Sequence, residues 1–302
     1  MKSALKKTIA PKSSLIFLRT LHFLTTRLFG TGFGVASKVL LPLIRNVDME
    51  AQYADGSKFA FKINDGYWSR LAFKGYVYEQ EIELFLHSAK AIDYVFLDCG
   101  ANYGYWSVLV SSELFGNKEV IAIEASPTTY NQLSKNCRIN NSKFIILNNA
   151  LHSENGCEFF IDSSEHHAAA SIKEASNIED GAVESVTLDY IHSKHVKDRT
   201  LPVVIKLDVE GQEKNALDGA GLLLEKDVLI VYEDHAEDSN HKVTSHILSQ
   251  LGMSIFYIDE GGDIIEITQV EMLGNIKVNP TTGYNFFACK VDSCFMPAFV
   301  QP

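Results

Sequence analysis

No C-x-x-C pair occurs among the five cysteines, Cys99, Cys137, Cys157, Cys289 and Cys294, and an odd, scattered set matches no disulfide framework. Thiols of this kind belong to a reducing compartment, so a cytoplasmic setting is expected. Cys99 reads as a small turn filler rather than a nucleophile. No internal repeat and no long low-complexity tract is present, which leaves an ordinary globular chain of 302 residues, long enough for one large domain and an appendage. The longest apolar runs near the N-terminus are interrupted by Arg19, His22 and Arg27. Neither a membrane-spanning helix of about 20 residues nor an orderly signal peptide is therefore read. Acidic residues are missing from positions 1–46, which hold eight Lys or Arg; the rest of the chain carries 19 basic against 38 acidic residues. A nucleic-acid enzyme would place its basic face on the main domain, so nucleic acid is not an expected partner and a small-molecule or glycan substrate is.

The dinucleotide fingerprint G-x-G-x-x-G is also missing, although a related pattern stands at Val95–Ser107, VFLDCGANYGYWS. Val95, Phe96 and Leu97 read as a buried strand, Asp98 ends it, Gly100 and Gly104 bracket a tight turn, and Trp106, Leu109, Val110 and Leu114 recur at helical spacing. In an open parallel sheet such a turn lies at the carboxyl edge, where ligands bind and the next helix offers free N–H groups. Val120–Ile123 is a second strand, closed by Glu124, a residue placed to accept both hydroxyls of a ribose. Asn102 and Tyr103 replace the small residues that a pyrophosphate needs, and the charge of Asp98 would repel one. S-adenosyl-L-methionine, with its ammonium and sulfonium, suits this turn better than NAD.

Together with IEASP at 123–127, NNALHSENG at 148–156, VTLD at 186–189 and IKLDVEGQE at 205–213, this turn makes the chain resemble the FkbM family of S-adenosylmethionine-dependent methyltransferases, over roughly residues 75–289. The resemblance implies a class I, Rossmann-like α/β fold with a seven-stranded doubly wound sheet. It also implies methyl transfer to hydroxyls of sugars, glycolipid or polysaccharide precursors, or secondary metabolites. The cofactor residues expected are Asp98, Gly100, Asn102, Gly104, Glu124, Asn149 and Ala150, the last two at the strand end where adenine lies in this fold.

Four parts are expected along the chain: a basic helical segment over 1–46, a β-hairpin and helix over 47–92, the methyltransferase domain over 93–291, and a loose tail over 292–302. Phe17, Leu21, Leu24 and Leu28 fall on one face of a basic helix, which either lies on an anionic membrane at its inner face or packs on protein. Asp48–Asp65 alternates about Asp55-Gly56 as a hairpin, followed by the aromatics Tyr67, Trp68 and Tyr76 and a helix at Glu79–Ser88. The stretch Asp162–Gly181, with His166, His167 and Ser171, reads as a polar loop. Later strands are expected at Pro202–Leu207, Val228–Tyr232, Ser254–Ile258 and Asn285–Lys290.

For the chemistry two arrangements are open. Asp208 or Glu210 acts as general base for the acceptor hydroxyl, helped by His235; or Asp208, Glu233 and His235 hold Mg²⁺ or another divalent metal as Lewis acid. Glu213, at a helix start, reads as structural, and Lys206 as an ion-pair partner. A non-catalytic S-adenosylmethionine- or nucleotide-binding protein of the same fold is the alternative to an enzyme, with an NAD-dependent oxidoreductase behind it. The sequence leaves the oligomeric state open.

Overall fold

A computed structural model describes residues 5–28, 47–73, 75–161, 172–174, 182–209, 211–235, 238, 240–279 and 283–300. Gly30–Gly34, Val39–Ile44, His166, His167, Ser171 and Glu210 lie outside the described residues. The chain divides into two compact units, one of Met1–Tyr78 with Ser134–Ser142, the other of Glu79–Leu133 with Lys143–Pro302.

In the smaller unit, β1 (Leu5–Ile9) pairs antiparallel with β2 (Asp48–Tyr53), which pairs with β3 (Lys58–Lys62). The expected hairpin is present: Gly56 takes φ +89°, and Asp55 Oδ1 accepts from the Ser57 N–H at 3.0 Å. The alternation of β2 and β3 buries Met49, Ala51, Tyr53, Phe59 and Phe61 on the inner side. A third strand, β1, was not expected, since LKKTI is half basic. Asn136 and Asn140 clamp β3 through its main chain, Asn136 bonding both N–H and C=O of Ala60 and Asn140 those of Lys58. The helix Lys12–Leu28 follows β1 and buries Leu18 and Leu21, while Phe17 is exposed, so its packed face is rotated from the expected one. Trp68 is buried and meets Phe59 edge-on with ring centroids 4.7 Å apart, which gives it a packing role.

The larger unit is built on an open sheet. Its strands are β4 (Val95–Cys99), β5 (Glu119–Ile123), β6 (Ile145–Leu147), β11 (Val203–Leu207), β12 (Val228–His235), β13 (Ser254–Ile258), β14 (Ile264–Ile267) and β15 (Gly283–Cys289), in the order β14-β13-β15-β12-β11-β4-β5-β6. The five strands from β6 to β12 are parallel, and β15, β13 and β14 join antiparallel. The doubly wound α/β class is as expected, with eight strands rather than seven. The extra one is β14, formed because the chain turns back at Gly262 (φ +88°) and lays IIEI along β13.

A second, four-stranded sheet combines β7 (Ala150–Leu151), β8 (Glu158–Ile161), β9 (Ile172–Glu174) and β10 (Val183–Val186) in the order β7-β10-β8-β9. Strand β9 lies within the stretch read from sequence as loop. Parallel strands covered on both faces read as continuous apolar runs, and β4, VFLDC, and β11, VVIKL, are buried throughout. One face carries Val95, Leu97, Ile121, Ile205, Ile230 and Phe286 in a single apolar core. The opposite face includes two charged residues, Asp98 and Lys206, which stand directly across from each other in the β4–β11 ladder.

Residues 292–300 are anchored rather than loose. Phe295 is fully buried against Phe85 and Tyr94, and Phe299 stacks on Phe256 with ring centroids 4.7 Å apart.

Candidate active site

The carboxyl edge of β4, β5 and β11 is where the glycine turn sits. Gly100 has φ +77°, and a Cβ there would lie 1.7 Å from the Asp208 carbonyl oxygen, so only glycine lets the turn after β4 pass the turn after β11. The N–H groups of Gly100 and Ala101 both reach the Ile123 carbonyl, at 3.0 and 2.9 Å. Asn102 adopts a left-handed conformation (φ +52°), which turns its N–H toward Glu124 Oε2 at 2.8 Å. Glu124 Oε1 accepts from the Ser126 N–H at 2.8 Å. Glu124 is half-buried and ties the loops after β4 and β5 together. Gly104 closes the turn through its N–H on Ala101 O at 2.7 Å and precedes the helix Tyr105–Val110. Asn148, at the carboxyl end of β6, donates to the carbonyls of Glu124 and Ala125 at 2.8 and 2.9 Å. The Asn149 amide donates to Glu184 O at 3.0 Å, and Ala150 is buried in β7.

Asp98 does not face solvent. Its side chain is buried and accepts from Ser107 Oγ at 2.5 Å, and burial raises its pKa against the opposing Lys206 and Ser107. Lys206 Nζ lies 3.0 Å from Asp208 Oδ2. Burial alone would lower the Lys206 pKa; the carboxyls of Asp208, Glu79 and Asp98 outweigh it and hold the ammonium charged. Burial likewise works to raise Asp208, and Lys206 with a hydrogen bond from Glu233 pulls it below the ordinary carboxylate range.

Four carboxyls thus share one ammonium. In a low-dielectric setting one cation cannot offset four anions, so protons stay bound where the cation is least effective. Burial, then the charges of Asp208 and Glu79, push Glu233 well above the carboxylate range, and as a neutral acid it donates its hydrogen to Asp208. Burial raises Glu79 to about 7, opposed by Lys206; its Oε2 accepts from Trp106 Nε1 at 2.5 Å. Sequence reasoning missed Glu79. The signal for the cluster was Lys206 itself, a lone charge inside VVIKL at a buried parity position.

Strand β12 runs further than expected, through His235, and its alternation separates the three residues read as its end. Glu233 and His235 share one face, with His235 Nε2 3.7 Å from Glu233 Oε2. Asp234 points the other way, into a buried set with Lys277, with Thr244 Oγ1 at 2.5 Å and with His241 Nδ1 at 3.8 Å. Gly283 lies opposite His235 on β15, and a Cβ there would overlap the Glu233 carboxyl at 1.2 Å. Among the described residues no group of three or more His, Cys, Asp or Glu is placed to hold a metal ion, and this includes Asp208, Glu233 and His235. Lys206 Nζ already occupies Asp208 Oδ2, which commits that carboxyl to an ammonium. Glu213 is structural as expected: its Oε1 accepts from the N–H groups of Val209 and Gly211 at 3.2 and 3.1 Å. Cys99 is fully buried, and burial raises its thiol well above the usual range, in keeping with a turn filler.

An open, mainly parallel sheet with a glycine turn at the carboxyl end of β4 and an acidic residue closing β5 defines the Rossmann-like α/β class. The model of the methyltransferase FkbM domain matches residues 98–264, just over half of the chain, and the chain belongs to this family. No curated protein matches it in sequence. Among solved structures it is similar to a methyltransferase FkbM from Methylobacillus flagellatus KT, with 16% identity and TM-score 0.41 over 65% of this chain and 43% of that one. It is also similar to an O-methyltransferase from Bacillus cereus in complex with SAH, with 9% identity and TM-score 0.42 over 91% of this chain and 100% of that one. A precorrin-6y C5,15-methyltransferase from Geobacter metallireducens GS-15 aligns with 17% identity and TM-score 0.39, over 72% and 92% of the two chains.

Proposed function

We propose that this protein is an S-adenosylmethionine-dependent O-methyltransferase whose acceptor is a hydroxyl of a sugar, a glycolipid or polysaccharide precursor, or a secondary metabolite. The observation that carries the reading is Glu79, a carboxyl held near neutral pKa beside Lys206 and Asp208 in a unit that also holds the Gly100–Gly104 turn. An alcohol must lose its proton as the new bond forms, and a carboxyl titrating near pH 7 is suited to take it.

The residues present fit the cofactor. Glu124, an acidic residue closing β5 and bonded to the Asn102 N–H of the glycine turn, supports a ribose position there, and Asn149 and Ala150 are proposed for the adenine side. When bound, S-adenosylmethionine supplies a methyl group on a sulfonium as the electrophile. The chain's own residues then divide the work. Glu79 accepts the acceptor's proton, Trp106 holds one Glu79 oxygen in place, and Lys206 steadies the charge that Glu79 gains. Asp208, locked by Lys206 and Glu233, sets the local field rather than moving a proton, and exposed His235 stands near Glu233 as an exit toward solvent.

Calorimetric titration with S-adenosylmethionine, with NADH as control and with Mg²⁺ or EDTA added, tests the cofactor. Micromolar binding of the first alone, indifferent to Mg²⁺, is expected; no binding by folded protein overturns the reading. Glu79→Gln is expected to leave cofactor affinity within about twofold and to lower turnover about 10²–10⁴-fold. Full turnover in that variant removes Glu79 as the base, and Glu210→Gln in the same assay tests the other carboxylate proposed for that role.

A further inference from the structure

The helix Lys12–Leu28 carries apolar residues on two opposite sides. On one side Leu18 and Leu21 are buried, His22 stacks on Phe73 with ring centroids 4.0 Å apart, and Arg19 Nε donates to Ala72 O at 3.4 Å. That face is committed to the interior of the smaller unit. At about 100° per residue, Ile16 and Phe23 fall about 160° and 140° around the helix from Leu18. They are 65% and 55% exposed, and Phe17 is 40% exposed. A helix that only had to pack on its own unit would place polar residues there.

The charge of the segment that carries this face is of one sign. Lys6, Lys7 and Lys12 are exposed, and no acidic residue precedes Asp48. Asp48 and Glu50, on the neighbouring strand β2, already pair with Lys62, Lys135 and Lys58. Among the described residues no helix is long and apolar enough to cross a membrane.

We propose that this face docks on the surface of an anionic bilayer. Ile16, Phe17 and Phe23 enter the boundary between headgroups and acyl chains, while the lysines meet the headgroup phosphates. Apolar anchors supply depth and cations supply attraction, and each cation close to an anionic leaflet raises partitioning about fivefold. This inference is independent of the chemistry proposed above, because it concerns the smaller unit alone and its test reads no methyl transfer.

The test is sedimentation of the full chain with vesicles of phosphatidylcholine, alone or mixed with phosphatidylglycerol. Binding to the mixed vesicles, little to the neutral ones, and weakening as salt is raised are expected. Ile16→Ser with Phe23→Ser should lower partitioning at least about tenfold while a thermal scan still shows a cooperative folded state. Lys6→Glu with Lys7→Glu, on a different element, should lower it by more. Equal binding of the variants and the parent, or equal binding to both vesicle types, overturns the proposal. So does a parent protein that ignores vesicles but self-associates through this face, read as a dimer by sedimentation velocity that Ile16→Ser with Phe23→Ser dissolves.

Discussion

At the scale of single residues the site is decided by how many protons four carboxyls keep around one ammonium. Lys206 reaches Asp208 directly and holds it ionised, so the burden of neutralisation falls on Glu233 and Glu79. This has a consequence for stability. Burial lifts Glu79 from 4.5 to about 7 in the folded protein, so folding favours the neutral acid. The stability associated with that proton is full below about pH 4.5 and is lost as pH rises through about 7. Glu79→Gln stays neutral throughout, so between pH 5 and 8 the parent should lose about 2 kcal/mol relative to the variant, read from urea midpoints at each pH. A constant difference would place Glu79 in a solvated environment. Sequence alone made part of this legible. The turn, Glu124, Asp208 and the ion-pair role of Lys206 stand in motifs; Glu79 stands in none, because its importance comes from what surrounds it.

At the scale of elements, alternation along strands sorts the functional groups. Asp98, Lys206, Glu233 and His235 come to one face by period-two parity, and Asp234 is sent to the other, where it pairs with Lys277. The sequence marked these strand ends as acidic but set the end of β12 at Tyr232. Pairing with β15 carries the strand three residues further, and this sets the faces of Glu233 and Asp234. The same non-local pairing explains the last residues of the chain. Phe295 and Phe299 are isolated aromatics in the sequence, yet they close the apolar layer over Phe85, Phe256 and Phe287. Phe295→Ala should cost about 3–5 kcal/mol and lower the melting temperature by about 10 °C in a thermal scan. A change of only a degree or two would show that the segment is held by other contacts.

At the scale of the whole molecule, the chain belongs to the methyltransferase FkbM family and has a smaller unit built from its N-terminal residues and Ser134–Ser142. A cofactor that binds only the folded state must stabilise it. At a hundred times its dissociation constant, S-adenosylmethionine should add about 2.7 kcal/mol and raise the melting temperature of the larger unit by several degrees. In Glu124→Ala most of that rise should vanish, and the unliganded melting temperature should also fall, because Glu124 ties Asn102 and Ser126 through its two oxygens. A full cofactor-induced rise in the variant would leave Glu124 with the structural role alone.

By itself the sequence determined the family, the order of the β/α steps and the glycine turn, because these are local: a strand, a glycine turn and a helix within a dozen residues, with acidic residues at or near the ends of β4, β5, β11 and β12. Tertiary structure alone decided which carboxyls are ionised, which face of β12 serves the site, that an eighth strand forms and that the tail is buried. Each of these depends on burial and on pairing between residues far apart in the chain. A side chain's proton affinity and its face are properties of its neighbours, and only folding chooses the neighbours.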